Sequence, residues 1–154
     1  MRTVVATASV LISFAVISTL EAQEKKIKRA DLPAAVERTV AEQSKGATIR
    51  ELSTEIENGR KLYEAALIVD GHGRDILIDE QGTIVEVEEE MALASLPPAV
   101  KEGLTKAAGR GTITKVEALT KKGKLVAYEA IVKTGTKQTE VQVGPDGKKL
   151  VRPE

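Results

Sequence analysis

The sequence contains no cysteine and no tryptophan, and apart from Phe14 near the N-terminus its only aromatic residues are Tyr63 and Tyr128. Without cysteine the chain forms no disulfide, carries no thiol nucleophile and has no lipid-modified cysteine. Its stability must therefore come from the burial of apolar side chains. The absence of cysteine thus excludes disulfide-stapled exported proteins, proteins anchored by a lipid-modified cysteine, and thiol enzymes.

The inventory of catalytic side chains is equally short. His72 is the only histidine, which excludes a histidine cluster for zinc and leaves one base for a serine triad. It lies between Gly71 and Gly73, where an exposed turn residue is favoured over a catalytic base, and no Gly-x-Ser-x-Gly motif is present. Paired carboxylates of a glycosidase stay open, but they come without the aromatic residues of a sugar site. We therefore predict that the protein is not an enzyme and uses no cofactor.

Two acidic stretches are candidates for metal sites. Residues 79–82 lack the Asp-x-Asp spacing and the distal glutamate of a calcium loop. The run Glu86, Glu88, Glu89 and Glu90 could collect cations weakly, but a solvated strand end is the favoured interpretation. No metal ligand is predicted from the sequence.

The N-terminal segment has the layout of a secretory signal peptide. Arg2 is followed by an uncharged, largely apolar run, and Leu20 and Ala22 occupy the −3 and −1 positions of a cleavage site. The alternative is a membrane anchor, since roughly 18 to 20 apolar residues span a bilayer. The small and hydroxyl residues of the run favour cleavage after Ala22. We predict a periplasmic or secreted protein with no stable membrane insertion after residues 1–22 are removed.

The neutral net charge hides an asymmetry between two halves. Residues 23–90 contain 10 Lys and Arg against 16 Asp and Glu, whereas residues 91–154 contain 12 against 6. Docking of the halves and solubility are favoured over steering of a partner. Nucleic-acid binding is not predicted, because the basic half has no dense Lys/Arg run and only Tyr128 as an aromatic.

The second half repeats the pattern of the first. Leu32-Pro33 and Leu96-Pro97 lie 64 positions apart, and Tyr63-Glu64-Ala65 precedes Tyr128-Glu129-Ala130 by 65 positions. This register predicts an internal duplication with one residue inserted between the two markers. Both tyrosines are predicted to be core residues that anchor the helices. The alternative is that they form a partner-binding hot spot.

The predicted fold class is α+β. It is a tandem duplication in which each unit has one helix packed on a sheet of about three to four antiparallel strands. A charged lead, 23–30, precedes repeat 1 at 31–90 and repeat 2 at 91–154. The helices are predicted to begin at the N-caps Asp31 and Ser95.

The alternation of side chains along the central strands predicts which sheet face is free of helix. Tyr63 and Tyr128 are assigned to the helix side, so the residues at alternate positions point away. Those residues are too apolar for a fully solvated surface, which makes them candidates for contact with the other repeat or a partner. The predicted partner-binding face consists of Leu62, Glu64, Ala66, Ile68, Leu125, Ala127, Glu129 and Ile131.

These motifs resemble the PepSY domain. The resemblance lies in a Thr-Ile strand at Thr48-Ile49, a Gly turn, the Tyr63-Glu64-Ala65 strand and a later turn closing on Gly82, each with a counterpart in the second half. It covers about 31–152. Two such units in an exported chain are similar to the PepSY-like, beta-lactamase-inhibitor-like group.

The resemblance implies a non-enzymatic exported module. PepSY units occur in propeptides of thermolysin-type proteases, which implies restraint of peptidases, and the inhibitors grip an enzyme with a concave sheet surface. The chain departs from those inhibitors in having two aromatic residues in this region and no cysteine, which argues against a beta-lactamase as the target. We predict a protein-binding module that modulates or inhibits a peptidase or another envelope enzyme. The alternative is a small-ligand or divalent-cation-binding protein of the cell envelope.

Overall fold

The computed structural model describes residues 24–150 and 152–154, so the predicted signal peptide lies outside the described residues. The α-helices within these residues are α1 (Ala34–Gln43) and α2 (Pro98–Ala108). The strands are β1 (Lys25–Lys26), β2 (Thr48–Glu57), β3 (Arg60–Val69), β4 (His72–Asp79), β5 (Ile84–Glu90), β6 (Thr112–Lys121), β7 (Lys124–Thr134) and β8 (Lys137–Val143).

All eight strands form one antiparallel sheet in chain order, from β1 at one edge to β8 at the other. The predicted tandem of separate helix-on-sheet units is therefore wrong: the described chain is mostly β, with two helices on a single open sheet. The physical reason lies at the middle of the sheet, where β5 pairs with β6 over Glu86–Glu90 and 117–121. If the two halves formed separate sheets, β5 and β6 would be edge strands with unpaired backbone N–H and C=O groups. Their pairing with each other satisfies these groups.

Each helix covers part of the same side of the sheet and buries apolar residues there. Val36 and Val40 of α1 belong to a first core cluster with Tyr63, and Val100 and Leu104 of α2 belong to a second. Tyr128 lies in that second cluster. Both tyrosines are buried, 5% and 7% exposed, which confirms their prediction as core residues.

The predicted N-caps are wrong. Asp31 and Ser95 each lie in a 3-10 turn that precedes the helix, and the N-cap positions are Pro33 and Pro97. A residue before proline is disfavoured in the helical region, so the leucine of each Leu-Pro pair stays extended and delays the helix start. The Asp31 carboxylate instead accepts a hydrogen bond from the Lys28 backbone N–H at 3.0 Å.

Close backbone contact fixes α2 against the turn that follows β8. Gly147 has φ +77°, and a Cβ added there would lie 2.1 Å from the Ala99 carbonyl oxygen. Gly103 in α2 faces the same turn, since its Cβ would lie 2.0 Å from the Gly147 carbonyl oxygen. Only glycine fits at both positions.

Gly103→Ala should therefore lower the free energy of unfolding by ~1–3 kcal/mol, because the added methyl group forces the helix and turn apart. In an unobstructed helix the same exchange raises stability by about 1 kcal/mol. Urea denaturation measures the difference, with Glu102→Ala at an exposed position of α2 as control. A Gly103→Ala variant more stable than the wild type would show that the turn does not contact α2.

Candidate functional site

The side of the sheet opposite α1 and α2 is the candidate binding surface, here called the helix-free face. On β3, Ala65 and Leu67 belong to the first core cluster, so Glu64 and Ala66 point to the opposite side. On β7, Ala130 and Val132 lie in the second cluster, which places Glu129 on the helix-free face.

Seven of the eight residues predicted for this face lie at the alternate positions that point away from the helices. Leu62, Ala66 and Ala127 are buried, with 1%, 5% and 0% exposure. Glu129 is also buried, whereas Glu64, Ile68 and Ile131 are half-buried. The face is therefore much less open to solvent than a flat outer sheet surface.

Leu125 is placed differently from its prediction. The register of β6 against β7 shifts between Leu119, which pairs with Ala127, and Thr120, which pairs with Leu125. This bulge inserts Val126 and reverses the alternation before it. Leu125 consequently packs against the second core cluster and is not part of the helix-free face.

The two glutamates singled out from the sequence each have a hydrogen-bond donor on the neighbouring strand. The Ser53 hydroxyl donates to Glu64 Oε2 at 2.9 Å, and Gln142 Nε2 donates to Glu129 Oε2 at 2.8 Å. Burial raises the pKa of both carboxyls, and these hydrogen bonds only partly oppose that rise. Both groups are thus held in surroundings that disfavour their charge.

A second acidic group lies at the centre of the helix-free face, on the three adjacent strands β4, β5 and β6. Asp75 pairs directly with Glu88, and Glu117 on β6 lies one diagonal step from Glu88. Carboxylate oxygens of the three residues lie within 4.8 Å of one another. We call Asp75, Glu88 and Glu117 the central carboxylates.

The central carboxylates are short of positive charge. Lys115 Nζ lies 2.5 Å from Glu117 Oε1, and Arg50 Nη2 lies 3.7 Å from Asp75 Oδ1. Within residues 24–150 and 152–154 no ion pair reaches Glu88. Burial, with the like charge of Glu117 next in importance, raises the pKa of Glu88 to about 8.

Asp75 and Glu117 were missed by sequence reasoning, and the acidic run was interpreted as a solvated strand end. Glu86 within that run is only 8% exposed and the rest is half-buried, so that interpretation is wrong. The run is covered because β6 pairs along it. A usable signal was present at Asp75, an acidic residue directly before the apolar Ile76, Leu77 and Ile78 of a strand.

The carboxylates of this face suit the binding of cations. Among the described residues, the central carboxylates are the one group with metal-type ligand atoms at mutual binding distance. The same charges would also pair with basic side chains of a partner protein.

Comparison with known proteins supports the fold. A protein from Bacteroides eggerthii, provisionally described as periplasmic, matches with a TM-score of 0.62 and 14% identity over 77% of this chain and 86% of the other. A DUF2874 family protein from Bacteroides uniformis gives 0.60 and 16% over 78% and 86%. A beta-lactamase-inhibitor-protein-like (BLIP-like) protein from Bacteroides fragilis gives 0.55 and 20% over 75% and 81%.

At these identities the similarity establishes the architecture and no activity. No protein-family model matches the chain, and no curated protein matches it. The resemblance to beta-lactamase-inhibitor-like proteins is thus supported at the level of fold, whereas membership of the PepSY family is not shown. No helix among the described residues is long and apolar enough to cross a membrane.

Glu88 should make stability depend on pH. Its pKa is about 8 in the folded state against 4.5 ordinarily, so the folded protein holds the proton more tightly. Stability should therefore fall as pH rises from about 4.5 to about 8. Glu88→Gln should remove this loss and raise the free energy of unfolding at alkaline pH by up to about 5 kcal/mol.

The measurement is denaturant unfolding at several pH values, with a chelator present to remove metal ions. Glu80→Gln, at an exposed turn position, is the matched control and should keep the wild-type dependence. A Glu88→Gln variant with the same pH profile as the wild type would mean that Glu88 is solvated in the folded protein.

Proposed function

We propose that this chain is an exported, non-catalytic protein-binding module that presents the helix-free face to a partner protein. The observation that carries this proposal is the contrast between the two sides of one sheet. Both helices and both core clusters lie on one side, while the other side carries buried and half-buried carboxylates that no described helix covers.

The energetic cost of these carboxylates supports a binding role. Burial raises the pKa of Glu64, Asp75, Glu88 and Glu129, so each destabilises the folded chain at neutral pH when charged. Apolar residues at the same positions would avoid that cost. Groups with strongly perturbed pKa values cluster at functional sites, because burial and neighbouring charges there adjust the pKa to the task.

The partner we propose is an enzyme of the cell envelope, with a peptidase as the first candidate. This finer assignment is supported by the resemblance to PepSY-like modules and by the fold similarity to a BLIP-like protein. Export belongs to the same proposal, with residues 1–22 removed as a signal peptide after Ala22. The fold similarity to a protein provisionally described as periplasmic supports that compartment.

Site-directed photo-crosslinking in the native host tests this face directly. A photoreactive residue at Ile131, half-buried on the helix-free face, should crosslink to one protein in a fixed ratio. The same residue at Glu102, exposed on α2, should give no such product. An enzyme identified by mass spectrometry is then assayed with and without the purified protein, and a change in its rate would support modulation.

Reversing a charge on the helix-free face should weaken partner binding. Glu129→Lys should weaken the Ile131 crosslink at least tenfold, because a buried charge of the wrong sign faces the partner. Thermal unfolding of the variant must show that it stays folded. Equal crosslinking from Ile131 and Glu102, or none from Ile131, would count against the helix-free face as the binding surface.

A further inference from the structure

We infer that Asp75, Glu88 and Glu117 form a binding site for a hard divalent cation of the calcium type. This site is distinct from the protein-binding role proposed above, and nothing in that role requires it. Three carboxylates offer the oxygen ligands that calcium prefers, and water would complete the coordination on the open side of the face.

The ligand set favours calcium over magnesium. Carboxylate oxygens of the three residues lie within 4.8 Å of one another, so one ion can contact all three. Calcium accepts irregular sets of oxygen ligands, whereas magnesium requires near-ideal octahedral geometry and loses its water reluctantly. The ligands come from three hydrogen-bonded strands, which holds their backbone positions fixed.

Asp75 supplies a second, independent observation that points to a missing partner. It is only 9% exposed, and its Oδ1 is buried without a hydrogen-bond donor among the described residues. Arg50 Nη2 forms an ion pair with this oxygen at 3.7 Å, which is beyond hydrogen-bonding distance. A buried acceptor left without a donor is costly. A cation among the central carboxylates would satisfy it.

The existing positive charges do not block the site. Lys115 holds Glu117 through Oε1, but its side chain is 33% exposed and has a path to solvent. The Arg50 side chain is 56% exposed. An entering cation therefore competes chiefly with Lys115.

The test is calorimetric titration of the purified, chelator-treated protein with CaCl2, with MgCl2 as the comparison. We expect one equivalent of Ca²⁺ to bind, more tightly than Mg²⁺, and Ca²⁺ to raise the melting temperature. Asp75→Asn and Glu117→Gln should each lower the affinity at least tenfold. Glu64→Gln, which alters a half-buried carboxylate of the same face outside the cluster, is the matched control and should bind as the wild type does.

Lys115→Met provides a test in the opposite direction. It removes the competing ammonium group, so it should raise the affinity for Ca²⁺ severalfold. Absence of heat and of any melting shift at about 10 mM CaCl2 would overturn the inference, since extracellular calcium modules bind at ~10⁻⁴–10⁻³ M. Unchanged affinity in both Asp75→Asn and Glu117→Gln would also overturn it, because the ion would then bind elsewhere.

Discussion

The pairing of β5 with β6 is the contact on which the rest of the structure depends. It aligns Glu86 with Lys121 and Glu90 with Glu117, and so joins an acidic half of the chain to a basic one. Lys121 Nζ lies 3.3 Å from Glu86 Oε2 across this junction. The backbone bonds of the ladder make one sheet, and the same register places Glu117 beside Glu88. The fold and the central carboxylates thus have a common origin.

One side of this sheet provides stability, and the other side is the proposed recognition surface. The helix side holds the apolar clusters, with Val36 and Val100 fully buried, and supplies the stabilisation that a chain without disulfides needs. On the helix-free face, carboxylates whose charge is disfavoured reduce the stability of the folded chain. A cation or a basic partner that neutralises these carboxylates therefore stabilises the folded chain. That stabilisation is the physical basis of both proposals.

Local structure was predictable from the sequence, and long-range pairing was not. The strand that begins at Thr48 and the core positions of both tyrosines agree with the sequence prediction. The helix starts were misplaced because the turn before each Leu-Pro resembles a cap. Side-chain periodicity reports which face a residue occupies but not which strand lies beside it. For that reason the sequence could not reveal that Asp75, Glu88 and Glu117 meet, or that two predicted units share one sheet.

The most direct test of the account is the detection of contacts across the β5–β6 junction by nuclear Overhauser spectroscopy. The single sheet requires cross-strand backbone contacts between Glu88 and Leu119, and between Glu86 and Lys121, in the antiparallel register. It also predicts slow amide exchange along both strands. Absence of these contacts, with the two halves tumbling independently, would contradict the single sheet and with it the site that the sheet assembles.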